Sequence, residues 1–143
     1  MNRTLLRNAV RDIALWLWYW APPLLWMTMI FYLSSQASLP TAPGPWLDDL
    51  LKKLSHVAVY TLLYLFLLRA FRRTSLAGRA PLLALLATAA YGLSDELHQS
   101  FVPGRRANWY DVAIDVAVPL LLWGRRRGQR RGILRPGDMD LTE

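Results

Sequence analysis

Cysteine is absent from this 143-residue chain. Its absence excludes disulfide bonds, Cys-ligated zinc and a thiol nucleophile. Histidine is scarce, at two residues, His56 and His98. Missing as well are an internal repeat, a Gly-rich phosphate loop and a GxSxG elbow, so the chain offers no motif for a cofactor and none is expected. A zinc site built from the two His and nearby carboxylates is disfavoured. There is no HExxH pair, and His98 follows Glu96 by two residues, a poor spacing for shared ligation from one helix. Acids are few too: 10 Asp and Glu stand against 17 Lys and Arg, a net charge of +7. The length suits one domain.

What the chain has in quantity is hydrophobic residues, 54% of the total, and seven Trp. Residues 13–33 run for 21 positions without a charge, long enough as a helix to cross a bilayer core of about 30 Å. The "WLWYW" within that run, with Trp26, suits an interfacial aromatic belt. A cleaved signal peptide is the weaker reading. The run is too long for its apolar region, Pro22-Pro23 sits inside it, and no small-residue cleavage site follows. Further apolar runs cover residues 54–68, 80–94 and 107–124, the last carrying Asp111 and Asp115. They are short for spans, but helices continue past flanking charges and Lys and Arg can snorkel. A soluble bundle with buried helices is the rival.

The placement of charge argues for four spans. Thirteen of the 17 basic residues lie before residue 12, between residues 69 and 79, or after residue 124. The two other connections hold only Lys52, Lys53, Arg105 and Arg106. An even number of spans puts both termini on one side, and the positive-inside rule makes that side cytoplasmic. The expectation is an all-α, polytopic membrane protein with four transmembrane helices. A basic N-terminal segment occupies residues 1–12, the transmembrane domain residues 13–124, and a flexible basic cytoplasmic tail residues 125–143. Nucleic acid is not an expected partner, because these Arg flank hydrophobic spans instead of forming a folded basic surface. Membrane lipids are.

Three polar clusters then reach one face of the membrane: "YLSSQAS" where the first span exits, "KKLSHVAVY" where the second enters, and "SDELHQSFVPGRRANWYD" after the third. Ionisable groups at or below the interface are expensive to bury. Lys53, His56 and Tyr60 are spaced to share a helical face, as are Asp95, His98 and Gln99, and Asp111 and Asp115 are one turn apart. Pro103-Gly104 predicts a turn that folds Arg105 back over the site. Tyr60 and Tyr91 read more simply as interfacial packing. Asp111 also fits the acidic first turn of a helix.

Taken in order, "SSQ", the KxxH of Lys53 and His56, "DELHQSFVPGR" and the Asp of "WYD" resemble the VanZ-like family of small bacterial membrane proteins. The resemblance covers about residues 32–122. It implies residence in the bacterial cytoplasmic membrane, and the family's founding member is linked to resistance to the glycopeptide teicoplanin. It marks Ser34, Ser35, Gln36, Lys53, His56, Asp95, Glu96, His98, Gln99, Phe101, Pro103, Gly104, Arg105 and Asp111. Asp115 stands where members often carry Asn, and Val116-Ala117-Val118-Pro119 replaces a stretch that is often Gly-rich.

Three functional readings follow. In the first, the site binds a lipid headgroup, a cell-wall precursor or a glycopeptide-type ligand through Ser34, Ser35, Gln36, Lys53, Gln99, Arg105, Asp111 and Asp115. In the second, it is an enzyme acting on a lipid-linked or phosphate-containing substrate. His56 or His98 would then serve as base, Asp95 or Glu96 as acid or orienting group, and Lys53 with Arg105 as phosphate clamp. Ser34 or Ser35 would be the nucleophile, although no sequence spacing pairs either with a His. In the third, the polar groups are a salt-bridged clasp that locks four short helices together.

Overall fold

The computed structural model of the chain describes residues 3–37, 42–105 and 109–132. They form four α-helices: α1 (Arg3–Ser34), α2 (Pro45–Phe71), α3 (Ala80–Gln99) and α4 (Trp109–Gly132). A 3-10 turn, Ala77–Arg79, leads into α3. No strand occurs among the described residues. The all-α class is as expected.

The helices are longer than the apolar runs. α1 takes in Arg3, Arg7 and Arg11, so its 32 residues rise about 48 Å, well beyond a hydrocarbon core. α2 starts at Pro45, before the run at residue 54, for local reasons. Pro45 suits the first helical turn, and Gly44 precedes it at φ 88°. Asp48 Oδ1 accepts the N–H of Ala42 at 3.0 Å, and its other oxygen pairs with Lys52 one turn on. α4 continues through Gly132, which makes the first part of the basic C-terminal segment helical; residues 133–143 lie outside the described residues. α1 and α2 are long and apolar enough to cross a membrane by length and composition. α3 rises about 30 Å, with Asp95, Glu96 and His98 in its last two turns.

α2, α3 and α4 pack on one another pairwise; α1 lies chiefly against α2 and only lightly against α3. α3 permits the close packing. Ala80, Ala84, Thr88, Gly92 and Glu96, each four residues from the last, are all buried. Small side chains at this spacing let helix backbones approach. A Cβ placed on Gly92 would meet Tyr60 Cε1 at 3.4 Å and Asp115 Oδ2 at 3.6 Å. The apolar core gathers Tyr60, Leu63, Tyr64, Leu67 and Leu68 of α2, Ala80 and Ala84 of α3, and Ile30 of α1.

Polarity is inverted relative to a water-soluble bundle. Trp18 (67% exposed), Leu25 (70%) and Leu121 (66%) face outward, while Asp95 (4%), Glu96 (1%) and Asp115 (1%) are inside. Buried acids beneath an exposed apolar surface suit a lipid surround and argue against the soluble bundle. Aromatic and cationic groups interleave at the end opposite the buried acids: Arg69 lies over Trp18 and Tyr19, and Arg73 over Tyr19, 4.9–5.3 Å from the ring centroids.

Candidate functional site

The three polar clusters meet where α1 ends, α2 begins and α3 ends. On α3, Asp95 and Gln99 are four residues apart and share a face, so Gln99 Nε2 donates to Asp95 Oδ2 at 2.9 Å. The same amide reaches across to Ser34 Oγ, the last residue of α1, at 3.4 Å. From α2, Tyr60 donates its hydroxyl to the same Asp95 oxygen at 2.9 Å. Asp95 Oδ1 is buried and has no hydrogen-bond partner among the described residues. Leaving a buried acceptor unpaired costs about 1–3 kcal/mol, so such an atom calls for an explanation.

A second acid stands beside the first. Asp115 of α4 pairs with His56 Nδ1 at 3.1 Å, one helical turn from Tyr60 on α2. The His56 and Tyr60 rings are nearly parallel, with centroids 6.1 Å apart. His56 is partly exposed and Asp115 is closed off, so the histidine lies between the acid and the surroundings.

Ser35 and His98 form a third contact, with Oγ and Nε2 separated by 3.0 Å. The Ser35 hydroxyl also lies 2.7 Å from the carbonyl of Phe31. One hydroxyl has one hydrogen. If it goes to Phe31, His98 Nε2 is the donor and Ser35 the acceptor, the reverse of what nucleophile activation requires. The Phe31 ring, 4.4 Å away between centroids, holds the imidazole in place.

Arg105 closes this end. Gly104, at φ 85°, turns the chain back, and a Cβ there would press on the carbonyl of Ala37 at 3.3 Å. Arg105 then donates from Nε to the carbonyl of Gln36 and from Nη2 to that of Leu33, both at 3.1 Å. The last carbonyls of a helix have no intrahelical donor, and a cation suits the negative end of the helix dipole. The expected fold-back of Arg105 occurs, and it bonds to carbonyls at and just beyond the end of α1, not to acids.

Ser34, His56, Tyr60, Asp95, Gln99 and Arg105 wall a cavity of about 100 Å³. Other marked residues lie elsewhere. Lys53 is exposed and does not line the cavity, and Glu96 is buried outside its walls. Gln36 turns its side chain back to the carbonyl of Tyr32 in the last turn of α1. The side chain of Asp111, like the whole of Arg106, lies outside the described residues. No three His, Asp or Glu side chains converge as metal ligands would among the described residues. Tyr60, read from the sequence as packing, bonds directly to an acid; its position one turn from His56 was the signal.

The model of the VanZ/LLP1 family matches residues 19–123, the stretch that contains all four helix cores and every wall of the cavity. No curated protein and no solved structure matches the chain.

Proposed function

The chain belongs to the VanZ/LLP1 family, and from that premise we propose that it is a four-span protein of the bacterial cytoplasmic membrane whose outward-facing cavity binds a polar headgroup. The observation that carries this reading is the Asp95 carboxylate in the cavity wall, whose Oδ1 is buried with no hydrogen-bond partner among the described residues. An acceptor in that state selects a ligand with an O–H or N–H donor. Tyr60 and Gln99 fix the carboxylate in place, and Ser34 and His56 offer further polar contacts. A cavity of about 100 Å³ is small beside the 300–1,000 Å³ of typical drug-sized sites. It therefore takes the headgroup of a lipid or lipid-linked cell-wall precursor, or one protruding group of a glycopeptide, and not a whole antibiotic. A part in glycopeptide resistance fits such a ligand.

The test is native mass spectrometry of the purified protein. A lipid or precursor should copurify, unchanged, and be lost in Asp95→Asn and Gln99→Ala variants that remain folded. Absence of any retained ligand, with both variants unfolding early, favours the structural clasp instead.

One observation favours the enzyme reading, the 3.0 Å contact between Ser35 and His98. For Ser35 to attack, its hydrogen must leave the Phe31 carbonyl and pass to Nε2 of a His98 in the other tautomer. Covalent labelling of Ser35 by a fluorophosphonate, abolished by His98→Ala, would select that reading over simple binding.

A further inference from the structure

The end of the bundle opposite the Asp95 cavity holds a larger recess, and nothing in the proposed function uses it. Its volume is about 370 Å³, and it lies between the start of α3 and the end of α4. Gly78, Arg79 and Leu82 form one wall; Trp123, Arg126 and Arg127 form the other. Three guanidinium groups thus border one space, and no acid lines it among the described residues. No ion pair or side-chain hydrogen bond engages these three Arg among the described residues. Arg127 lies over the Trp123 ring at 5.2 Å, which fixes its direction without neutralising it.

The recess also has an apolar exit. Leu82 is part of its wall, and Leu86, Leu93 and Leu97 continue from it along α3, each 39–56% exposed. Residues at these spacings lie on one face. A ligand suited to both features carries a compact anion that accepts bidentate hydrogen bonds and, joined to it, a long apolar chain. Phosphate fits the guanidinium fork, and basic pockets between membrane helices are where anionic headgroups bind. Tryptophan beside them suits the interface.

We infer that this recess is a binding site for an anionic phospholipid, with the phosphate held by Arg79, Arg126 and Arg127 and an acyl chain laid along Leu82 and Leu86. The site is separate from the Asp95 cavity and does not depend on what that cavity binds.

The full-length protein is purified, and native mass spectrometry measures its retention of phosphatidylglycerol and of phosphatidylcholine, each added at matched concentration. Phosphatidylglycerol should be held at least about tenfold more tightly. Arg79→Gln/Arg126→Gln should remove that preference, whereas Arg125→Gln, an exposed neighbour outside the recess, should keep it. Inorganic phosphate at millimolar concentration should displace little lipid, because it lacks the acyl chain. Equal retention of the two lipids overturns the inference, and this arm needs no variant. An equal loss in Arg125→Gln also overturns it, since the effect would then be diffuse surface charge. Full displacement by inorganic phosphate would make the site one for a free anion and overturn the lipid assignment.

Discussion

Single side chains decide whether the polar end of the bundle is held by charge or by hydrogen-bond geometry. Arg105 is the clearest case. Its fork spans the carbonyl of Leu33 in α1 and that of Gln36 just beyond it, and the single ammonium of Lys cannot reproduce that geometry. Arg105→Lys should lower stability in detergent by about 1 kcal/mol. A double-mutant cycle between Arg105 and Asp95 should give a smaller coupling than one between Tyr60 and Asp95, because the first two share a cavity without a bond and the second two are hydrogen-bonded; a larger coupling in thermal unfolding would contradict the geometry. His56 and Asp115 should behave differently. His56→Ala leaves a buried acid without its imidazole, so it should destabilise by more than Asp115→Asn, and adding Asp115→Asn to it should recover part of the loss. The same unfolding assay checks that order. Much of this site was legible in the sequence, because Asp95 with Gln99 and His56 with Tyr60 follow the four-residue helical spacing. Lys53 shares the face of Tyr60 by the same rule, but seven residues place it about 10 Å further along the axis. Periodicity gives a face and says little about depth, so Lys53 ends exposed. The Ser35 contact with His98 joins residues 63 apart in sequence, and no local spacing encodes it.

Helix limits were the least legible feature at the scale of elements. Apolar runs mark the part of a helix that meets lipid, whereas its ends are set by caps. The start of α2 shows this, since Pro45 and Asp48 extend it well ahead of its apolar stretch. The buried small-residue stripe of α3 carries a prediction of its own. Gly92→Ala adds a methyl at ordinary contact distance from Tyr60 and Asp115, so its melting temperature should be close to that of the parent. Gly92→Leu has no such room and should cost about 1–3 kcal/mol or more through overpacking. It should also disturb the bond between Tyr60 and Asp95, because Tyr60 is the first atom group it meets. Gly104 is constrained by backbone angle instead of by space alone. Gly104→Ala forces a side chain into a left-handed conformation and towards the Ala37 carbonyl, so it should loosen Arg105 from α1 at a cost of about 1 kcal/mol or more.

Topology is an expectation for the whole molecule that rests on its uneven Lys and Arg. The absence of native Cys makes it testable with single thiols. A probe at Ala37 should react with an impermeant maleimide added outside intact cells, and one at Ser75 only after the cells are opened. The reverse pattern would turn the Asp95 cavity to the cytoplasm. What composition did not convey is which helices form the unit. α2, α3 and α4 each touch the other two, while α1 rests mainly on α2. The acids, the imidazole paired with Asp115 and the Tyr60 hydroxyl all belong to the trio. α1 and the residue after it supply Ser34 and Ser35, and this tip is tied by Gln99, His98 and Arg105. The site thus has a resident portion and a borrowed portion, divided along the chain between α1 and α2. Supplied as two separate polypeptides cut there, the shorter piece should find its place by docking, as a subunit joins its partner, and the serines would arrive with it.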